Sequence, residues 1–218
     1  MRQRSAETRE RILRAAAAEI LADGYASASL SSIAARLGLT KGALAYHFPS
    51  KRDAADALFA HTSAVYDDVR RSVRDDDLRG VRALVAMLAR IGLRTRTDVV
   101  FAAANSLIVT PGGLRFDLPP ILTMLIDTYS EYLREGVEDG DVPADVDDVE
   151  ASEEIVAMSI GGLLLFTRHP ERQGSRPMRI TRRQLAAIGV ADADAIVDEM
   201  ISRALAVPPR FDEPVRGA

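Results

Sequence analysis

The amino-acid sequence predicts an all-α protein in which a small N-terminal three-helix unit precedes a larger C-terminal helical domain. Three observations support this fold class. Apolar residues recur at helical spacing along most of the chain, no segment alternates apolar and polar residues as a β-strand does, and Gly, Pro and Asp clusters separate the helical segments. With 218 residues, 47% of them hydrophobic, the chain is long enough for one packed domain or two small ones.

The first helix is predicted from about Ala6 to Asp23, and Gly24 ends it. Apolar residues four apart form two adjacent rows on this helix, so one broad face should be buried. The rows are Ile12, Ala16 and Ile20, and Leu13, Ala17 and Leu21.

The next stretch, residues 29–52, predicts two short helices joined by a tight turn, SLSSIAARLGLTKGALAYHFPSKR. Ser29 can cap the first helix because its hydroxyl accepts a backbone N–H that has no partner within the helix. Gly38 can end it, since glycine adopts the left-handed conformation of a helix C-terminus without a steric penalty. The apolar stripe between them is Leu30, Ile33, Ala34 and Leu37.

The second short helix is predicted from Lys41 to about His47, with Thr40 as its cap. Leu44 and Phe48, four residues apart, share its inward face. Two short helices joined by roughly three to four residues that include glycine form the helix-turn-helix pattern, whose second helix lies in the DNA major groove. An ordinary helical hairpin has the same spacing, so the pattern alone leaves both interpretations open.

The residues left on the outer face of the second helix suit contact with DNA. Gly42 and Ala43 are small enough for the backbone to approach base edges, and Tyr46, His47 and Lys51 offer donors for phosphate oxygens. The full set of candidate DNA-binding residues is Ser29, Thr40, Lys41, Gly42, Ala43, Tyr46, His47 and Lys51.

Charge is distributed unevenly along the chain. Residues 1–52 hold nine Lys or Arg and four acidic residues, a net charge of +5, which leaves −9 for the remainder of a chain whose total is −4. The only two lysines, Lys41 and Lys51, flank the second short helix. A basic end on an acidic body fits phosphate binding by one lobe, although chance clustering of solvated charges would give the same sum.

The string LTKGALAYHFPSK, preceded by IAARLG and further upstream by DGYASAS, resembles the DNA-binding signature of the TetR family of bacterial transcriptional regulators. The resemblance covers roughly residues 7 to 60. The sequence departs from the family pattern at Ala45, where the family commonly has a tyrosine that contacts the DNA backbone. We expect this departure to remove about one phosphate contact, part of which Tyr46 can replace.

The resemblance implies a helix-turn-helix DNA-binding domain at residues 1–52 and a helical ligand-binding and dimerisation domain at residues 53–207. Residues 208–218 are predicted to be a disordered tail. Helices of the second domain are predicted at residues 51–73, from about residue 78 onward, and at 99–109, 118–138, 149–167 and 193–206. Residues 168–183 carry six arginines and are predicted to be a solvated, mobile loop; a second nucleic-acid patch is the alternative.

Candidate ligand-binding residues in the second domain are large or adaptable side chains with few polar partners, as in a mostly apolar cavity. They are Met87, Phe101, Asn105, Met124, Tyr129, Met158 and Phe166. Plain core packing would give the same residues at the same spacing. The helix order, with DVVFAAANSLI before a tyrosine-bearing helix, is similar to that of the γ-butyrolactone autoregulator receptors of this family, which generally carry a pocket tryptophan; this chain has none.

The sequence offers no catalytic motif, no metal-ligand spacing among its three histidines, no phosphate-binding loop and no cysteine, so we expect no enzyme activity, metal or cofactor. The longest apolar run, Ile155 to Phe166, is shorter than the roughly 20 residues that span a bilayer, and no secretory signal is evident. We therefore expect a cytoplasmic protein without membrane contact.

These inferences together predict a ligand-responsive transcriptional regulator. It is expected to be a repressor that binds palindromic double-stranded operator DNA as a homodimer and is released by a small, mostly apolar effector. A DNA-binding regulator without a small-molecule ligand and an orphan helical interaction module are the alternatives.

Overall fold

The computed structural model describes residues 2–108, 118–168 and 176–206, and within these ranges the chain forms ten α-helices and no β-strand. The all-α prediction is therefore confirmed. The helices are α1 (Arg2–Ser27), α2 (Leu30–Arg36), α3 (Lys41–His47), α4 (Lys51–Asp75), α5 (Gly80–Thr97), α6 (Val99–Ile108), α7 (Leu118–Glu138), α8 (Asp148–Arg168), α9 (Arg176–Ile188) and α10 (Ala193–Ala206).

Helix α1 is longer at both ends than the sequence predicts, but its predicted break is present. Gly24 has φ 79° and ψ 157°, which are not helical angles, and one further turn follows it up to Ser27. A left-handed φ of this size is strained for residues with a Cβ atom, so glycine is the residue that suits this position. The break redirects the chain from α1 into α2.

Two hydrophobic cores hold the helices together. The N-terminal core lies between α1, α2, α3, α6 and the first half of α4, and includes Ile12, Ala16, Ile33, Leu44, Phe48 and Leu58. The C-terminal core lies between the second half of α4, the start of α6 and helices α5, α7, α8, α9 and α10. Among its buried residues are Tyr66, Met87, Tyr129, Leu133, Ile155 and Val197.

Helices α4 and α6 contribute residues to both cores. In α4, Ala55 and Leu58 lie in the N-terminal core, whereas Tyr66 lies in the C-terminal core two turns further along. In α6, Ala104 faces the N-terminal core and Phe101 faces the C-terminal core. Each of these two helices therefore extends from one core into the other.

The prediction of a mobile loop at residues 168–183 is wrong for its second half, because α9 begins at Arg176. Met178, Leu185 and Ile188 pack on the C-terminal core at helical spacing, and the buried Thr181 lies between them. Arginines between these positions obscured the stripe in the sequence. One of them, Arg182, donates to the carboxylates of Asp194 and Asp198 in α10.

The division into residues 1–52 and 53–207 stays a prediction, and the boundary falls within the first turn of α4. The proposed disordered tail, residues 208–218, lies outside the described residues. Within the described ranges, no helix combines the length and the apolar character that crossing a bilayer requires.

Candidate nucleic-acid interface and effector site

The helix-turn-helix owes its geometry to local caps. The Ser29 hydroxyl accepts the backbone N–H of Ser32 at 3.0 Å, and Thr40 does the same for Ala43 at 3.1 Å. Gly38, in the turn between the helices, has φ +65°. Both predicted caps and the predicted glycine turn are confirmed. Because these groups satisfy the free amides at each helix start, they fix where α2 and α3 begin.

Glu19 of α1 anchors the start of α2, a contact that the sequence analysis missed. Its side chain is buried, and its carboxylate accepts the backbone N–H of Ser29 at 3.3 Å and the hydroxyl of Ser32. The only signal in the sequence was an acidic residue directly before Ile20 of the apolar rows. The contact joins α1 to α2 and so orients the motif on its supporting helix.

Helix α3 is buried on one side and open on the other. Leu44 and Phe48 are buried, and the Arg9 guanidinium of α1 lies over the Phe48 ring at 4.7 Å from its centroid. Tyr46 is 81% exposed, the most exposed of the large apolar side chains described, and its ring contacts that of His47 edge to face at 5.2 Å. The outer face also presents Lys41, Gly42 and Ala43, all exposed.

Seven of the eight candidate DNA-binding residues therefore lie on α2, α3 or their caps, while the eighth, Lys51, starts α4. Its ammonium group donates to the carbonyl oxygens of Tyr25 at 2.7 Å and Ala26 at 3.2 Å, and lies 4.4 Å from the centroid of the Tyr25 ring. Lys51 thus joins the start of α4 to the end of α1. Whether these eight residues contact DNA stays a prediction.

Most of the candidate ligand-binding residues lie inside the C-terminal half of the molecule. Met87, Phe101, Asn105 and Tyr129 are buried, and Met124 is partly buried against the C-terminal core. Tyr66 joins them, because its ring packs against that of Phe101 at 5.3 Å between centroids.

Two of the predicted ligand-binding residues do not belong to this buried group. Met158 is 44% exposed on the outer face of α8, and the side chain of Phe166 lies outside those that the structure describes. The pattern of apolar residues could not separate an inward from an outward methionine, because α8 is apolar on more than one face.

Buried polar atoms mark the interior around α6 and α7. The Asn105 Oδ1 atom and the Tyr132 hydroxyl are buried and have no hydrogen-bond partner within residues 2–108, 118–168 and 176–206. Burial raises the pKa of Tyr66 above its ordinary value, and it raises that of Tyr129 with a contribution from the neighbouring phenols. The phenols therefore stay neutral, so this interior offers polar groups without charge.

A groove of about 540 Å³ opens on the surface between α4 and α7. It is lined by Arg70, Pro120, Thr123, Met124, Asp127, Thr128 and Glu131. Only Met124 is shared with the candidate ligand-binding residues, and the three charged side chains make this groove more polar than the predicted cavity. Among the described residues, no group of three or more His, Asp and Glu side chains could hold a metal ion.

An exposed recognition helix on a basic N-terminal unit, joined to a larger helical body, defines the class of helix-turn-helix DNA-binding regulators. Residues 12–58 match the family described as bacterial regulatory proteins, tetR family. The match covers the second half of α1, all of α2 and α3 and the first turns of α4, and with the relatives below it supports a TetR family regulator.

Individual relatives extend the similarity beyond residues 12–58. The HTH-type transcriptional repressor BepR of Brucella suis biovar 1 (strain 1330) is 28% identical over 134 residues, which span 59% of this chain and 62% of that protein. The solved structure of the TetR family protein CprB from S. coelicolor A3(2) has 26% identity and a TM-score of 0.77, covering 92% of this chain and 98% of its own.

Two further structures show the same fold. CprB from Streptomyces coelicolor in complex with its biological operator sequence has a TM-score of 0.78 at 24% identity, covering 94% of this chain and all (100%) of its own. A γ-butyrolactone receptor described as ArpA-like has a TM-score of 0.75 at 23% identity, covering 94% of this chain and 98% of its own.

Proposed function

We propose that this protein is a transcriptional repressor that binds a palindromic operator as a homodimer and releases it when a small, mostly apolar, uncharged effector binds. The observation that carries the proposal is α3: its inner face is fixed by Leu44 and Phe48, and its outer face is open. The repressor named among the relatives supports the direction of regulation.

DNA recognition rests on the outer face of α3. The small Gly42 and Ala43 let the helix backbone come close to base edges, and the exposed Tyr46 and Lys41 can reach phosphate oxygens. In a two-fold dimer each α3 takes one half-site, so the operator is an inverted repeat with half-sites about one helical turn, or a multiple of it, apart. Basic side chains that contact phosphates release counterions from the DNA, so the affinity for DNA should fall steeply as the salt concentration rises.

Selection of genomic DNA fragments by the purified full-length protein, followed by footprinting, tests this proposal. We expect an inverted repeat that the Tyr46→Ala variant binds more weakly than the wild type. A matched control is Ala187→Ser, a change at an exposed position of α9 outside the proposed contact face, which should bind as the wild type does. A single asymmetric site occupied by one protomer would contradict the dimer model.

Repression itself needs a separate measurement. With the selected inverted repeat placed between a promoter and a reporter gene, expression of the protein should lower reporter output, and Tyr46→Ala should restore it. A rise in reporter output would identify an activator instead.

Helix α8 is the proposed centre of the dimer, together with α10. Met158 leaves a large apolar side chain exposed on α8, and Gly161 follows on the same face three residues later, where an added Cβ atom would meet nothing within 4 Å in the protomer. An exposed apolar side chain beside a small residue fits a helix of a second copy, packed as in a four-helix bundle.

Met158→Arg tests this interface, and Ala187→Arg on α9 is its control. The arginine at 158 should yield monomers by sedimentation and abolish operator binding, whereas the control should stay dimeric. Met158 is preferable to Ile160 or Ile201, because those two side chains pack on the C-terminal core and their replacement would also disturb folding. If Met158→Arg remains dimeric, the interface does not lie at this face of α8.

The effector site is proposed in the interior near Met87, Phe101, Asn105, Met124 and Tyr129. Neutral phenols, one orphan amide oxygen and apolar side chains favour an uncharged molecule with an apolar body and a hydrogen-bond donor for Asn105 Oδ1. An effector releases DNA only by binding one dimer arrangement more tightly than the other. Operator DNA must then weaken effector binding by the same factor.

Titration of the protein–operator complex with a panel of neutral apolar compounds tests this part of the proposal. Each compound should be measured in matched pairs with and without a hydroxyl group, on wild-type protein and on Asn105→Leu. We expect release by hydroxylated members and loss of that preference in the variant. A compound that binds tightly without changing operator affinity is not an effector.

A further inference from the structure

One polar contact joins the two helices that both cores share. His61 Nε2 of α4 lies 2.6 Å from Asp98 Oδ2, directly before α6. His61 is about one turn beyond Leu58 of the N-terminal core and about one turn before Tyr66 of the C-terminal core. The contact therefore joins α4 to the start of α6 where α4 passes between the cores.

Asp98 uses its second oxygen to cap α6. Oδ1 accepts the backbone N–H of Val100 at 2.9 Å and of Phe101 at 3.0 Å, so one carboxylate fixes the start of α6 and contacts His61 as well. Desolvation alone would raise the pKa of Asp98, but the hydrogen bonds from His61 and these amides lower it below its ordinary value. The carboxylate stays ionised and keeps both sets of contacts.

The first turns of α6 also contribute two residues to the proposed effector site. Phe101, whose amide Asp98 holds, packs its ring on Tyr66, and Asn105 lies on the same face of α6 one turn later. A change in the position of Phe101 or Asn105 would move the α6 start, and Asp98 would pass that movement to His61 on α4.

We propose that His61 and Asp98 form a coupling pair, which positions α4 and with it α3 for operator binding according to the state of α6. The inference rests on the proposed function, since it assumes operator binding. In this role neither residue touches DNA or effector. The pair holds the arrangement that fits the operator, and loss of the contact lets α4 move independently of α6.

The first test is operator affinity on the selected inverted repeat, measured with full-length variants at a temperature where circular dichroism shows each to be folded. His61→Ala should weaken operator binding by about tenfold, within the range typical of coupling between sites. His61→Gln, which can still donate to Asp98, should recover part of this loss. Asp98→Asn, which retains the α6 cap, should weaken binding in the same direction as His61→Ala.

The matched control is Asp68→Asn. It removes the carboxylate charge of Asp68 in α4, which pairs with Arg94 of α5 at 2.9 Å, so an inter-helical ion pair of α4 is lost without a change at α6. Its operator affinity should stay within twofold of the wild-type value.

The second test is amide hydrogen exchange at the start of α6. If His61 and Asp98 only stabilised the fold, operator binding would not change this exchange. By reciprocity, operator DNA should slow exchange of the Val100 and Phe101 amides in the wild type. It should not do so in His61→Ala. In Asp68→Asn the protection should persist.

The inference is overturned if His61→Ala binds the operator as tightly as the wild type, or if operator DNA leaves exchange at α6 unchanged in the wild type. Either result leaves the DNA-binding proposal intact. Failure of the wild type to select any inverted repeat would instead refute the proposed function, and the coupling pair with it.

Discussion

The two cores differ in the side chains that fill them. Alanines make up half of the buried residues described for the N-terminal core, among them Ala16, Ala34, Ala55 and Ala104. The C-terminal core contains Tyr66, Phe101, Tyr129 and Tyr132, with only a few alanines. Small residues let helices approach closely with few polar atoms to satisfy, which suits a unit that must present α3 rigidly.

Polar groups sharpen this contrast. In the N-terminal half, Glu19, Ser29 and Thr40 have partners that fix helix ends. In the C-terminal half, Asn105 Oδ1 and the Tyr132 hydroxyl are buried without a described partner. A buried polar atom without a partner costs about 1–3 kcal/mol. Among the described residues both such atoms lie in the C-terminal half, which fits the effector site proposed above.

The largest expected effect is the difference in stability loss between substitutions of two aromatic residues in the N-terminal unit. Phe48→Ala should lower the free energy of unfolding by about 3–5 kcal/mol, because the ring is buried under Arg9. Tyr46→Ala should change it by less than about 0.5 kcal/mol, because the ring is exposed. Urea unfolding followed by circular dichroism measures both. Equal losses would mean that Tyr46 belongs to the core.

The second prediction concerns the orphan amide of the C-terminal core. Asn105→Leu replaces a 2% exposed side chain by an apolar one of similar size, which removes the unsatisfied oxygen. We expect the free energy of unfolding to rise by about 1 kcal/mol. Asn105→Ala, which also opens a cavity, is the control and should not stabilise. A clear loss of stability in Asn105→Leu would show that the oxygen is satisfied in solution.

The third prediction uses the junction between the cores. Because the pKa of Asp98 is lowered in the folded protein, its ionised form stabilises the fold above the ordinary carboxyl pKa of about 3.9. That contribution should disappear as the pH falls below this value, through the lower pKa of the folded state. Thermal unfolding between pH 2.5 and 6 should therefore show a wild-type advantage over Asp98→Asn that shrinks with acidification. An advantage independent of pH would indicate that the charge is not responsible.

The smallest effect is expected from the two lysines. Lys41→Ala and Lys51→Ala should each reduce the slope of log affinity against log salt by roughly one if each contacts a phosphate. Only Lys51→Ala should also lower stability, since only Lys51 is held by the carbonyls of Tyr25 and Ala26 among the contacts described. An unchanged slope for Lys51→Ala would assign that residue to structure alone.

Local features were predictable from the sequence wherever the signal and the contact lie within a few residues. Ser29, Gly38 and Thr40 act on amides or dihedral angles up to three positions away, and the structure confirms all three. The bounds of α3 and α7 follow from periodicity in the same way, and so do the buried rows of α1 except for Leu21, which is exposed because it lies at the edge of the buried face.

The sequence could not predict contacts between distant residues or the side of a uniformly apolar helix. His61 and Asp98 are 37 positions apart, and no spacing rule brings them together. Met158 and Asn105 were equal candidates for the interior, yet one is exposed and the other buried. In α9 the arginines masked a stripe that only the packing partner reveals.

The anchored ammonium of Lys51 has a practical consequence for amine chemistry. Besides the N-terminus, Lys41 and Lys51 are the only primary amines in the chain. Lys41 is exposed, whereas Lys51 is enclosed by two carbonyls and the Tyr25 ring. Reductive ¹³C-methylation would thus give two lysine resonances beside that of the N-terminal amine, one reporting on α3 and the other on the contact between α4 and α1.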